Sequence, residues 1–155
     1  MVMDETVADE SAVWFGDALM TVRVDGGVTG GSVSVVEARL PAGYSTPAHT
    51  HFREDEIFVV LEGRIRCRQE GHEFVAGPGD VVHRPLGQPH AYRVESDGAR
   101  ALLVFAPAGH ERFYLEAGVP AYGTSEPPVA EYSAEEAAAM AERFGYEVVG
   151  PRLEA

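Results

Sequence analysis

Glycine and proline interrupt this chain at short intervals, and this feature restricts its fold more than any other. Seventeen Gly and ten Pro separate short runs that are rich in β-branched and aromatic residues. Runs of about four to eight such residues between turn residues are typical of β-strands. The runs lie within ALMTVRVDGG, GSVSVVEARL, EIFVVLEGRIRCRQE, HEFVAGPGDVVHRP, HAYRVES and ARALLVFAP. About eight short antiparallel strands in succession predict an all-β sandwich or barrel.

Two local turn patterns refine this expectation. The segment LEGRI predicts a tight hairpin with Gly63 at its turn. The segment VDGGVTGGS predicts a glycine-rich hairpin connection. Both favour antiparallel pairing between strands that are neighbours in the sequence.

The pattern changes from β-type to helical at Ser133. Ser133 and Glu136 have the spacing of a capping box, and Gly145 is placed to end the helix. Apolar residues recur between them at helical spacing: Ala137, Met140, Ala141 and Phe144. A helix of about three turns is marginal alone, so we expect Met140 and Phe144 to face the β body or a second subunit. The predicted organisation is a β-barrel domain at residues 1–125, including an N-terminal strand, and a helical extension at 126–155.

Charge and cysteine content exclude several classes of function. The 155 residues carry a formal charge of −13, which repels nucleic acid and anionic membranes. The single cysteine, Cys67, allows no internal disulfide. No apolar run approaches the roughly 20 residues needed to cross a bilayer, and the first residues lack the pattern of a secretion signal. We therefore expect a cytoplasmic location, with no nucleic-acid or membrane partner.

Two histidines and a glutamate stand close together in the stretch PAGYSTPAHTHFREDEIFVVLEG. Residues i and i+2 of a strand point to the same face, so His49 and His51 can direct two imidazoles at one point. Glu56 follows after a bend at FRED and faces the side of Phe58 and Val60 if the strand is regular. The alternative for the REDE segment is a solvated acidic patch.

Two spaced motifs in this chain resemble those of the cupin superfamily. The first has Gly43, His49, His51, Glu56 and Gly63, separated by five, one, four and six residues. The second has Gly79, Pro85, Gly87 and His90, separated by five, one and two residues. Fifteen residues lie between the two motifs. Val94 stands where the second motif commonly has Asn. The resemblance implies a double-stranded β-helix, the jelly-roll barrel of cupins, with a short C-terminal helix here.

Further segments resemble a narrower group within that superfamily. They are VWFGD, TGGSVSVVEARLPAG, PHAYRV, PAGHERFYLEAGVPA and AERFGYEVVGP. Together they are similar to the small single-domain bacterial cupins of the quercetin 2,3-dioxygenase-like group, including the helix and strand with which those proteins end. Related small cupins include cyclases of aromatic polyketides and proteins without an assigned reaction.

The resemblance implies a metal site with four protein ligands. These ligands are His49, His51, Glu56 and His90, with His90 brought near by the PLGQP turn. Such a set holds a divalent transition metal, namely Fe, Mn, Ni, Co, Cu or Zn. About two coordination positions stay open for a substrate oxygen, water or dioxygen. In related cupins the glutamate that matches Glu56 binds the metal, acts as a base, or does both.

Strand alternation also predicts which residues line a substrate pocket. Phe58 and Val60 follow Glu56 on one face, and Tyr92 and Val94 follow His90 on another. This apolar and aromatic lining favours a planar or hydrophobic organic ligand. Most arginines near the motifs are expected to point outward on alternating strands; they are Arg53, Arg64, Arg66, Arg84 and Arg93. The positions of His83 and His110 stay open, and His72 is expected in an exposed turn.

Three function classes remain. The first is a metal-dependent dioxygenase acting on a flavonol-like or other phenolic or enolic molecule, with Glu56 accepting a substrate proton. The second is a non-oxidative metal-dependent cyclase or isomerase, and the third is a small-molecule binding cupin. We also expect a homodimer, because the N-terminal run AVWFGDALMTV is apolar enough to add as a strand to a neighbour.

Overall fold

Two antiparallel β-sheets form the body of the protein in the computed structural model. The structure describes residue 7, residues 9–128 and residues 132–155. Within these residues there are twelve strands and two helices. The strands are β1 (Ala12–Phe15), β2 (Ala18–Val24), β3 (Ser34–Leu40), β4 (Pro47–His51), β5 (Asp55–Glu62), β6 (Ile65–Gln69), β7 (His72–Ala76), β8 (Val81–Arg84), β9 (His90–Val94), β10 (Ala99–Ala106), β11 (Val119–Pro120) and β12 (Tyr146–Arg152). The helices are α1 (Glu111–Ala117) and α2 (Ala134–Phe144).

The strand order divides each of the two predicted motifs between the facing sheets. The larger sheet has the order β11-β1-β2-β3-β10-β5-β8, and the smaller has the order β12-β4-β9-β6-β7. The histidine strands β4 and β9 are therefore neighbours in the smaller sheet, while β5, which carries Glu56, lies in the larger. This two-sheet arrangement confirms the all-β fold and the β2–β3 hairpin connection.

The expected hairpin at LEGRI is wrong. Strand β5 pairs with β10 and β8, whereas β6 pairs with β7 and β9, so the turn passes from one sheet to the other. Gly63 has a φ of 87°, and a Cβ there would lie 2.5 Å from the carbonyl oxygen of Gly98. A glycine is required because the turn combines a left-handed conformation with a close backbone approach. A turn signature of this kind does not specify the sheet that its second strand joins.

The core lies between the inward faces of the two sheets. Leu40, Phe58, Ile65, Leu103 and Phe105 are all at most 1% exposed. Each such side chain contributes about 1.5–3 kcal/mol through its removal from water. The alternation of buried and exposed residues along β10 fits a strand with one face in this core.

The C-terminal segment contributes both a helix and a strand. Helix α2 has Ser133 as N-cap, the capping box with Glu136 and a left-handed Gly145 at its end, as predicted. Met140 and Phe144 pack against the core, which also confirms the expected contact with the β body. Strand β12 then pairs with β4 and forms an edge of the smaller sheet. The domain boundary at 125/126 stays a prediction.

The N-terminal run pairs within the chain. Strand β1 is hydrogen-bonded to β2 and β11, and Ala12, Val13 and Trp14 are at most 5% exposed. Neither of the helices in the described residues is long and apolar enough to span a bilayer.

Candidate metal centre and cavity

Three histidines converge on the inner face of the smaller sheet. His49 of β4 is directly opposite His90 of β9, and paired residues in an antiparallel sheet project to the same face. His51, two residues along β4, points the same way. The ring centroids of His49 and His90 are 4.4 Å apart, and those of His51 and His90 are 5.3 Å apart. One nitrogen from each of the three rings lies within 4.8 Å of the others.

Hydrogen bonds fix which nitrogen of two rings is free. His49 donates from Nδ1 to the carbonyl oxygen of Pro47 at 2.8 Å, and His51 donates from Nδ1 to Oε1 of Glu54 at 2.7 Å. A carbonyl or carboxylate oxygen only accepts, so each Nε2 retains its lone pair. Both ring nitrogens of His90 are buried and have no hydrogen-bond partner among the residues that the structure describes. Unpartnered, converging imidazole nitrogens are the donor set that divalent first-row metals prefer, so the residues present fit such an ion.

Burial keeps two of these rings neutral. Desolvation lowers the pKa of His49 to about 4, with the neighbouring His51 adding to the effect. Desolvation also lowers the pKa of His90, to about 2, although Glu56 acts in the opposite direction. Neutral imidazole is the metal-binding form, so at neutral pH protons do not compete for these rings.

Glu56 approaches the histidines from the opposite sheet. Its Oε2 lies 3.3 Å from Nε2 of His90 and 3.1 Å from a guanidinium nitrogen of Arg84, and the residue is 3% exposed. Burial raises the pKa of this carboxyl, but Arg84 and the three histidines lower it by more, so it lies well below its usual range. Glu56 is therefore an ionised carboxylate beside the imidazole cluster, with Arg84 on its other side.

Arg84 lies inside the protein, contrary to the expectation that it points outward. It is 2% exposed, and its guanidinium carbon sits 4.3 Å from the ring centroid of Phe58 and 4.9 Å from that of Tyr92. In β8, residues 82 and 84 are buried while 81 and 83 are exposed, so Arg84 is on the inward face. Glu56 is directly opposite in β5 and supplies the compensating charge. The alternation with Val82 is the sequence signal that indicates this position.

Glu54 and His110 are further functional candidates whose arrangement sequence reasoning missed. Glu54 is 3% exposed, and its Oε1 contacts Nδ1 of both His51 and His110, at 2.7 and 3.2 Å. Burial raises the pKa of this carboxyl, but the two histidines lower it by more, to about 2. The REDE segment is thus not a solvated patch at Glu54. His83, by contrast, is on the outer face of β8 with an exposed side chain 3.6 Å from Asp55. His72 is exposed as predicted, but it is the first residue of β7 and not part of the turn.

A cavity of about 190 Å³ opens beside the histidines. Its lining is mostly aromatic and apolar, with a few polar groups: Phe15, Met20, Tyr44, Thr46, Pro47, His49, Glu56, Arg84, Tyr92, Leu103, His110, Phe113, Tyr114, Tyr146, Val148 and Arg152. The last three come from β12, because Tyr146 and Val148 are directly opposite His51 and His49 in the sheet.

The predicted pocket residues divide between the cavity and the core. Tyr92 lines the cavity, whereas Phe58, Val60 and Val94 are buried in the core and are not among its lining residues. Strand alternation predicts the face of a residue but not its depth. Val60 is four residues beyond Glu56, a distance of roughly 13 Å along a strand. Arg84 covers the nearer Phe58.

The sequence of this chain is similar to a known protein family and to proteins of known sequence. The Cupin domain family matches residues 36–106. Quercetin 2,3-dioxygenase of Bacillus subtilis is 32% identical over 108 residues, which are 70% of this chain and 32% of that enzyme. Dimethylsulfoniopropionate lyase DddQ of Ruegeria pomeroyi is 37% identical over 75 residues, which are 48% of this chain and 37% of that lyase. This chain thus spans about a third of the length of these two relatives.

Solved structures show the same fold. The structure of KdgF from Halomonas sp. aligns with a TM-score of 0.57 at 18% identity, covering 63% of this chain and 86% of that one. The two spaced histidine motifs, the facing antiparallel sheets and the family match all agree. This chain therefore contains a cupin domain, which the family match places at residues 36–106.

Proposed function

We propose that this protein is a metal-dependent dioxygenase that acts on a flavonol-like or other phenolic or enolic small molecule. The observation that carries the proposal is the cluster of His49, His51 and His90, whose free nitrogens meet beside an aromatic cavity. The 32% identity to an enzyme named quercetin 2,3-dioxygenase supports the same substrate class.

The ligands of the metal are His49, His51 and His90, with Glu56 as the fourth. A bound divalent transition metal supplies Lewis acidity and, with a redox-active metal, access to chemistry with dioxygen. The residues around the metal site orient its ligands. Pro47 and Glu54 hold the rings of His49 and His51 by their Nδ1 atoms, which orients both Nε2 atoms before any ligand arrives.

Glu56 is the residue that accepts a proton from a substrate hydroxyl. Its carboxylate lines the cavity and is ionised at neutral pH, so it can accept a hydrogen bond from a phenol or enol. Arg84 reduces the basicity of Glu56 and fixes its position through the 3.1 Å contact. The aromatic lining excludes water and favours a planar ligand, for which stacking against Tyr92, Phe113 or Tyr146 is available.

The direct test combines metal analysis with an oxygen electrode. Protein purified without chelator is expected to hold about one divalent transition metal per chain and to consume oxygen when a flavonol is added. The matched control is His49→Ala, which lacks one ligand nitrogen. Consumption of the flavonol without oxygen uptake would refute the dioxygenase assignment.

A non-oxidative metal-dependent cyclase, isomerase or lyase is the second candidate. It is favoured by the 37% identity over 75 residues to a protein named as a lyase, and by several proton-bearing side chains in one cavity. Oxygen-independent turnover would select this reaction class. Tight ligand binding without turnover would indicate a binding cupin instead.

We also propose a homodimer, although not through the N-terminal strand. Strand β1 pairs on both sides within its own chain, so in the described residues the edge strands are β11 and β8 of the larger sheet and β12 and β7 of the smaller. We propose β7 and β8 as the dimer edges, because Val75 and Val81 there are 55% and 65% exposed. Light scattering is expected to give about twice the chain mass of 16.7 kDa. A mass near that of one chain at micromolar concentration would contradict the dimer.

A further inference from the structure

One carboxylate oxygen contacts two histidines at the edge of the metal site. Oε1 of Glu54 lies 2.7 Å from Nδ1 of His51 and 3.2 Å from Nδ1 of His110. All three residues are at most 4% exposed. Within the described residues Nδ1 of His110 has no hydrogen bond of regular geometry, and the carboxylate oxygen that faces it is Oε1 of Glu54.

This trio is better explained by hydrogen bonding than by a second metal ion. Two ligand atoms that share an ion at about 2.1 Å are separated by roughly 3.0–3.4 Å in octahedral or tetrahedral geometry. The 2.7 Å between Glu54 and His51 is shorter than that and equals the length of a charge-assisted N–H···O bond. Glu54 therefore accepts Nδ1–H from His51, and the same oxygen makes a longer 3.2 Å electrostatic contact with Nδ1 of His110.

His110 faces the cavity with the rest of its ring. It directly precedes α1, and the rings of Phe105, Phe113 and Tyr114 pack around it with centroids 5.0–5.3 Å away. It lines the cavity together with His49 and Glu56. Since Nδ1 is directed at Glu54, Nε2 on the other side of the ring keeps its lone pair and is a hydrogen-bond acceptor.

We propose that His110 contacts the substrate by accepting a hydrogen bond from a hydroxyl group, and that Glu54 positions His110 and the metal ligand His51 together. This inference rests on the proposed metal site and phenolic ligand. His51 ends β4, Glu54 stands immediately before β5, and His110 follows β10, so one carboxylate ties three chain segments. A polar acceptor among the rings of Phe105, Phe113 and Tyr114 favours hydroxylated ligands over the same ring system without hydroxyls.

The test measures metal and ligand affinity separately, in metal-loaded protein under anaerobic conditions so that no ligand is consumed. The ligand probes are a hydroxylated flavonol and unsubstituted flavone. His110→Phe keeps an aromatic ring among aromatic neighbours, and we expect about tenfold weaker binding of the flavonol with flavone binding and metal affinity unchanged. His110→Asn keeps an acceptor and is expected to regain part of the preference. If His110→Phe does not fold, His110→Asn provides the test of His110 in its place.

Glu54→Gln is the second arm and is read out by competition with a chelator. We expect about 10- to 100-fold weaker metal binding, because a neutral amide orients His51 less firmly than a carboxylate. The matched control is Glu73→Gln, an exchange of the same kind on the exposed strand β7, which should leave both affinities unchanged.

The outcomes separate this inference from the proposed function. Unchanged flavonol preference in His110→Phe, unchanged metal affinity in Glu54→Gln, or two metal ions per wild-type chain would each overturn the inference. Failure of the wild-type protein to bind a metal or any hydroxylated ligand would overturn the proposed function as well. Normal wild-type binding with unaffected variants overturns only the roles of His110 and Glu54.

Discussion

The two sheets contribute opposite kinds of chemistry to one site. The smaller sheet supplies His49, His51 and His90, and burial lowers the pKa of His49 and His90, which keeps these two rings neutral. The larger sheet supplies Glu56 and Arg84, a charged pair that is neutral in sum. Metal affinity is therefore expected from the smaller sheet, whereas proton transfer and electrostatic positioning are expected from the larger. Substitutions on the two sides should separate these properties.

Removal of a ligand from the smaller sheet should have the largest effect. His51→Ala takes away one imidazole and leaves Glu54 with a single histidine contact. We expect metal affinity to fall by more than about 100-fold and turnover to be abolished. The β body should still fold, because the hydrophobic core cluster does not include His51. Elemental analysis measures the metal content, and far-UV circular dichroism measures whether the β body is folded. Full metal occupancy in this variant would refute the ligand assignment.

On the larger sheet, Glu56→Gln should lower the rate and spare the metal. The amide keeps the shape and one oxygen but loses basicity, so we expect turnover to fall by about 10²- to 10⁴-fold while the three histidines retain most of the metal. Rates are compared at equal metal loading. Wild-type turnover of a hydroxylated substrate by this variant would show that Glu56 is not the proton acceptor.

The partner of Glu56 should matter for stability rather than for metal binding. Arg84→Met leaves the Glu56 carboxylate buried without its counter-charge, and removal of one partner from a buried pair costs about 3–5 kcal/mol. Adding Glu56→Gln to that variant should restore part of the loss, because no unpaired charge remains. Denaturant unfolding of the two single variants and the double variant measures this coupling. Additive losses would mean that the pair is not coupled.

The smallest expected effect is a pH dependence of the metal-free protein. The folded-state pKa values of His49 and His90 are lowered to about 4 and about 2, below the ordinary value of 6.5. As pH falls below about 6.5 the unfolded chain takes up protons that the folded chain does not, so stability decreases toward pH 4. The melting temperature of chelator-treated protein should therefore drop between pH 7.5 and 4.5, and less so with metal bound. A melting temperature that stays constant between these two pH values in the metal-free protein would contradict this expectation.

The sequence was informative where function depends on short spacings. The i, i+2 pair in β4, the distant His90 and the capping box of α2 were all predictable, because each depends on local geometry or on a family motif. Glu54, Arg84 and His110 were not assigned roles. Their contacts depend on residues that are distant in the sequence or on the direction in which a side chain points. Strand alternation predicts which face of a sheet a side chain is on, but not how deep it lies between the two sheets. The LEGRI turn was misassigned for a related reason, since the choice of sheet is a tertiary property.

Strand β12 separates the shape of the cavity from the stability of the metal site. It contributes Tyr146, Val148 and Arg152 to the cavity wall, yet most of its residues are exposed and only its pairing with β4 joins it to the smaller sheet. Tyr146 packs against the core, whereas Val148 and Arg152 are exposed, so these two side chains can change in size and polarity without disturbing the core. Substrate range can therefore diverge among proteins of this architecture through drift in one peripheral strand. In directed evolution, a library confined to Val148 and Arg152 would explore new ligands at little risk to folding.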